Sequence, residues 1–109
     1  VEAEGGEKGM RGQFAESVYR ITKTIPKGKA ASYGWIGLQL GSRRLARAVG
    51  NVLHANRSAD VPCHRVVNCR GRLAEKFGQG GWREQKSRLV GEGVKFAGIK
   101  QVDRCWMIG

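Results

Sequence analysis

Ser32-Tyr33-Gly34-Trp35-Ile36-Gly37-Leu38-Gln39-Leu40-Gly41-Ser42-Arg43-Arg44-Leu45-Ala46-Arg47-Ala48-Val49-Gly50-Asn51-Val52-Leu53 is the stretch that decides the fold. Ser32 is a residue that caps helices, and Trp35, Ile36 and Leu38 are among the apolar residues of the helix it would start. Gly41 ends that helix, and Ser42 can cap another that runs through Arg43 to about Leu53. Two short helices joined by a tight Gly-containing turn make a helix-turn-helix pattern. The later helix sets Arg43, Arg44 and Arg47 beside the small residues Ala46, Ala48 and Gly50. Small residues let a helix approach another surface closely. That surface is either another helix or DNA, and the pattern alone leaves both open.

Upstream, Phe14, Val18, Ile21 and Ile25 follow helical spacing and predict one buried stripe, which Pro26 and Gly28 punctuate. Residues 1–11 are Gly- and Glu-rich without apolar period, so they are expected to be a disordered or expression-derived lead. Residues 12–109 are expected to form one domain. Downstream, 56–62 reads as a loop, Val66 and Val67 as a short strand, 68–71 as a turn and 77–82 as a Gly-rich loop. Residues 84–91 read as a last helix with Leu89 and Val90 facing inward. The apolar pieces from Val94 onward suggest a small hairpin. The expected architecture is mainly α with a small β element, a winged-helix-like helix-turn-helix domain.

Charge narrows the partner. Twenty Lys and Arg against nine Asp and Glu give a net charge of +11 on 109 residues. Such an excess favours a polyanion, because each neutralised phosphate releases counterions. No stretch approaches the ~20 apolar residues of a membrane span, and no basic helix carries a continuous aromatic face. Three cysteines, Cys63, Cys69 and Cys105, are an odd number for a secreted disulfide framework. A reducing compartment is expected, cytoplasmic or, in a bacterium, nucleoid-associated.

Pro62-Cys63-His64-Arg65-Val66-Val67 carries the strongest chemical signal. A thiol is a nucleophile only as thiolate, and His64 and Arg65 are the imidazole and the cation that ease its formation. Pro62 stiffens the approach. A buried structural cysteine is the competing reading of the pair alone. A metal site is a poorer one, since Cys63, His64 and Cys69 lack ligand spacing and a fourth ligand. His54 reads as a surface or packing residue on the helix before the loop, and Cys69 and Cys105 as structural.

Together these residues resemble the O6-alkylguanine-DNA alkyltransferases. Pro62 to Val67 resembles that family's active-site motif, and Ile25-Pro26-Lys27-Gly28-Lys29 with Ser32-Tyr33-Gly34 resembles the approach to its DNA-binding helices. Ala46-Arg47-Ala48-Val49-Gly50 resembles its recognition helix, Asn56 its Asn before the active-site loop, and Glu92-Gly93-Val94 its closing motif. Order and spacing agree over roughly residues 13–95.

The resemblance implies roles. Cys63 is the alkyl acceptor. His64 takes its proton through a water, with Glu92 polarising the imidazole. Asn56 braces the turn, and Tyr33 donates a proton to the departing guanine. Ser32, Tyr33, Arg43, Arg44, Ala46, Arg47, Ala48 and Gly50 contact DNA, Arg47 filling the gap left by an extruded base. Pro62, Val66, Val67, Phe77, Gly78, Gln79 and Gly80 surround the base pocket. The implied partner is double-stranded DNA containing O6-alkylguanine. The implied protein is a monomer with no cofactor and no metal, used once per molecule. Lacking the N-terminal domain that many members carry, the chain resembles the single-domain branch that includes the alkyltransferase-like proteins. Those bind alkylguanine without transfer, hand it to an excision-repair protein, and usually have Trp where this chain has Cys63.

Overall fold

A computed structural model describes residues 2–56, 58–75, 77 and 80–108, with side chains from residue 12 onward. Helix α1 spans Glu2–Lys23, strand β1 Ala31–Ser32, helix α2 Tyr33–Gln39 and helix α3 Ala46–Ala55. Strand β2 is Val66–Val67, helix α4 Gly81–Gly91, and strands β3 and β4 are Phe96–Gly98 and Gln101–Val102. Single turns of 3-10 helix precede α3 at Arg43–Leu45, precede β2 at Cys63–Arg65, and follow β4 at Arg104–Trp106. The chain is thus mainly helical, with a helix-turn-helix formed by α2 and α3.

The capping signals act as read, with one refinement. The Ser32 hydroxyl accepts from the Trp35 amide at 2.9 Å. Ser42 caps the 3-10 turn at Arg43–Leu45 through the Arg44 amide, and α3 proper begins at Ala46. Arg43 and Arg44 therefore lie ahead of α3 rather than within it. The helical backbone of α1 begins at Glu2, ahead of the first apolar residue of the stripe; a nucleated helix propagates at one hydrogen bond per residue.

The turn between α2 and α3 is closed by the Gly37 carbonyl, which accepts from the Leu40 and Ser42 amides at 2.9 and 3.0 Å. A Cβ on Gly37 would stand 2.7 Å from the Ser42 carbonyl oxygen and 3.3 Å from the Ala46 nitrogen. These are backbone atoms that cannot swing aside. Gly37→Ala is accordingly expected to cost about 1–3 kcal/mol. Thermal unfolding should show a midpoint lower by roughly 5–15 °C; an unchanged midpoint would mean that α3 shifts freely on α2.

Two apolar clusters meet at a very short parallel ladder. Ala31 pairs with Val66 and Ser32 with Val67. Successive strand residues point to opposite faces. Ala31 and Val66 join Val18, Ile25, Ile36, Val49 and Leu53 in one cluster. Ala30 and Val67 join Leu73, Leu89, Val94 and Val102 in the other. The ladder ties the entry to α2 directly to the exit from the Cys63–Arg65 turn.

Two expectations are corrected in α4 and around the cysteines. Leu89 is fully buried but Val90 is 54% exposed. Neighbours on a helix point about 100° apart, so one residue faces the core and the next faces away. Cys69 and Cys105 are exposed, so neither fills the core. The hairpin expected near the end is present as the antiparallel pair β3–β4. Among the described residues, no helix is long and apolar enough to cross a membrane.

Candidate active site and nucleic-acid interface

The loop from Asn56 to Cys63 is held by Asn56 itself. Its Oδ1 accepts from the Ser58 amide at 3.1 Å, and its Nδ2 donates to the Ser58 carbonyl at 2.9 Å and to Cys63 Sγ at 3.2 Å. The Cys63 amide donates to the Val61 carbonyl at 2.8 Å, which draws the thiol back towards the end of α3. Sγ stands on the wall of an open cavity of about 560 Å³, shared with Tyr33, Asn56, His64, Phe77 and Arg88. That size suits one small organic group.

Electrostatics around the thiol differ from what adjacency in sequence suggests. Burial pushes the Cys63 thiol up, against the opposing pull of the Asn56 hydrogen bond and the Arg88 charge. His64 and Arg65 are occupied elsewhere. His64 Nε2 lies 2.9 Å from Glu92 Oε2, while Arg65 Nε and Nη2 donate to Glu92 Oε1 and Oε2 at 2.9 and 2.7 Å. Arg65 Nη1 also donates to the Ile25 carbonyl at 2.9 Å. Burial would raise the Glu92 carboxyl, but the Arg65 and His64 hydrogen bonds outweigh it and hold the group at about 2. An ionised carboxylate accepting from Nε2–H leaves the lone pair on Nδ1, so the ring is set to accept a proton there. Tyr33 has its phenol pushed up by burial and by the neighbouring thiol, which keeps it a proton donor.

A family model described as 6-O-methylguanine DNA methyltransferase, DNA binding domain, matches residues 13–94. The chain belongs to this family. Alkyltransferase-like protein 1 of Schizosaccharomyces pombe is 38% identical over 84 residues, covering 76% of this chain and 78% of that protein. A methylated-DNA–protein-cysteine methyltransferase of Mycolicibacterium paratuberculosis is 42% identical over 86 residues, covering 77% of this chain and 50% of that protein. The chain thus spans half the length of that methyltransferase. A crystal structure of S. pombe Atl1 in complex with damaged DNA containing O6-carboxymethylguanine superposes with a TM-score of 0.74 at 32% identity, covering 89% of this chain and 95% of that one.

Within this family frame, the residues expected at DNA divide by exposure. Arg43, Arg44 and Arg47 are exposed, and Ala46, Ala48 and Gly50 are partly buried. Gly50 faces inward, since a Cβ there would meet the Tyr33 ring at 3.7 Å. The Ser32 hydroxyl is committed to its cap and the residue is buried.

The expected base-pocket residues also divide. Phe77 lines the cavity. Val66 and Val67 do not, because the ladder sends both side chains into the core. Pro62 leads into the Cys63 turn but lies off the cavity wall. Gly80 caps α4, where a Cβ would stand 2.6 Å from that of Glu84. Gly78 and Gln79 lie outside the described residues.

Three contributors have no counterpart among the expected site residues. Fully buried Gln85 donates from Nε2 to the Val66 and His64 carbonyls at 2.9 and 3.2 Å and accepts from the Ala74 amide at 2.8 Å. It pins the Cys63 turn and the far cavity wall to α4, and nothing about a lone Gln in a polar helix announces this. Arg88, on the same helix, reaches the cavity and lies 5.4 Å from the Phe77 ring. His54, at the end of α3, sits on the cavity rim; its place one residue ahead of Ala55-Asn56 is the available signal.

Proposed function

We propose that this chain removes alkyl groups from O6-alkylguanine in duplex DNA by transferring them to Cys63. The observation that carries the reading is the placement of the Cys63 thiol on one cavity wall with Tyr33 and the Glu92-oriented His64. The damaged base leaves the stack to enter the cavity, because its O6 substituent is out of reach of a recessed sulfur while stacked. Extrusion costs a few kcal/mol, less for a poorly paired lesion. His64 Nδ1 takes the thiol proton through a water, Sγ attacks the alkyl carbon, and the bond from that carbon to O6 breaks. Tyr33 protonates the departing guanine and regains its proton from solvent. The product thioether is not readily reversed, so each molecule acts once and needs no cofactor. A raised thiol in the free protein fits this scheme, since deprotonation is then coupled to the loaded site.

Intact mass after mixing with an O6-methylguanine duplex tests it. A gain of one methyl group, mapped by peptide to Cys63, is expected. The second reading is a lesion sensor that holds alkylguanine and passes it to excision repair. It is favoured by the chain's matching 78% of alkyltransferase-like protein 1 but only half of the methyltransferase. No mass gain, with the damaged duplex still bound more tightly than its undamaged counterpart, would select it.

Arg47 is exposed on α3 and is proposed to fill the gap left by the extruded base. Arg47→Ala is expected to weaken binding to the lesion duplex by about tenfold or more, and binding to undamaged duplex much less. Equal losses on both duplexes in competition binding would make Arg47 a phosphate contact instead.

A further inference from the structure

A second cavity, of about 520 Å³, lies apart from the thiol and is ringed by Arg43, Arg70 and Arg104. All three are exposed, and among the described residues none forms a salt bridge. Among the described residues, acidic side chains do not contribute to its wall, and the nearby Asp103 turns its carboxylate to the Cys105 amide. The arginines come from three separate parts of the chain. Arg43 opens the turn into α3, with Nη1 3.6 Å from where a Cβ on Gly34 would be.

The two other supports are rigid. Arg70 sits in a turn whose amides at Arg70 and Arg72 both donate to Asn68 Oδ1, at 2.9 and 2.8 Å, and its carbonyl accepts from Gln101 Nε2 at 2.9 Å. Arg104 belongs to a 3-10 turn tied back to the entry of β1, where the Ala30 amide donates to the Trp106 carbonyl and the Ile108 amide to the Ala30 carbonyl. Three guanidinium groups on fixed backbone, with no carboxylate between them, attract phosphate and repel one another without it. Over half the wall, including Arg104, comes from beyond residue 94, where the match to the family model ends.

We propose that this cavity is a clamp for the DNA backbone, in which Arg70 and Arg104 extend the grip of the helix-turn-helix onto a further stretch of phosphates. The occupant is the duplex itself rather than a free phosphate, because Arg43 and Ser32 make the cavity continuous with the start of α2 and the turn into α3. The inference rests on the DNA-binding part of the proposed function. The clamp reads no base and does not touch the Cys63 cavity, so it adds affinity without lesion preference.

The test is the double substitution Arg70→Ala with Arg104→Ala, measured by fluorescence anisotropy against damaged and undamaged duplexes over a range of salt. Both affinities should fall by about tenfold or more, and the slope of log K against log salt should shrink by about two. The ratio of the two affinities should stay the same. The pair Arg70→Lys with Arg104→Lys should keep most of the slope, which separates charge from fold. A double-alanine protein with wild-type slope and affinities within twofold overturns the clamp alone. A wild-type protein that binds neither duplex overturns the clamp and the proposed function together. Unaltered binding of free inorganic phosphate alongside a lost DNA slope supports the backbone as occupant; a site that takes phosphate but leaves DNA binding untouched overturns it.

Discussion

Replacing Cys63 by Ser is expected to abolish methyl transfer while leaving the fold and the capture of the lesion intact. The hydroxyl nearly matches the thiol in size and can accept from Asn56 Nδ2, which now reaches Sγ at 3.2 Å. The turn therefore keeps its brace. What goes is the nucleophile: a hydroxyl at this position cannot form the anion that His64 draws from a thiol. Transfer should slow by more than about 10⁴-fold, as is usual when a covalent nucleophile is removed. Binding to an O6-methylguanine duplex should stay within about twofold, since sulfur contributes little contact area. Intact mass and anisotropy on the same sample read both quantities. A methyl group gained by the Cys63→Ser protein, or mapped in the wild type to Cys69 or Cys105, would sink the assignment of Cys63.

Glu92→Gln is expected to have the largest effect on stability, with a pH signature of its own. Glu92 is only 12% exposed and Arg65 16%, so the substitution leaves a largely buried guanidinium uncompensated. The loss at neutral pH should be about 3 kcal/mol. The wild-type carboxyl is held at about 2 against an ordinary 4.5. A lowered carboxyl stabilises the native state fully above its unfolded value and loses that stabilisation as pH falls towards its folded value. The gap between wild type and Glu92→Gln in urea unfolding should therefore be flat above about pH 5 and close between about pH 4.5 and 2. A gap that persists at pH 2 would mean that size or shape, not charge, makes Glu92 necessary. Transfer should also slow, by about 100-fold, because the amide no longer fixes Nε2–H of His64 as the carboxylate does.

How much of this is legible in the sequence depends on how local the cause is. The α2–turn–α3 corner is readable because a cap needs only a Ser and the amides that follow it, and Ser32 and Ser42 both cap. The β2 strand and the turn at Asn68–Gly71 are readable for the same reason. Adjacency misleads at His64 and Arg65. Both stand next to the thiol in the chain, yet a turn of 3-10 helix offers them to Glu92, 27 or more residues on, and it is Asn56 and Arg88 that temper the thiol. The motif alone puts Val66 and Val67 at the pocket, whereas the ladder with β1 places them in the core. Neither Gln85 nor the ring of Arg43, Arg70 and Arg104 has a local signature, because each depends on segments that meet only after folding.

The ladder of β1 and β2 also governs when the site comes into being. Its partners, Ala31 and Val66, are 35 residues apart (66 − 31), so the chain must close a loop of that length before the pair can form. Helices assemble in about a microsecond, whereas parallel pairing across a long loop is slow. Partly folded molecules thus contain the helices but not the cavity wall that presents the thiol. Chemical competence arrives with the last step of folding, and any fluctuation that parts two residues of backbone silences the nucleophile without unwinding a single helix.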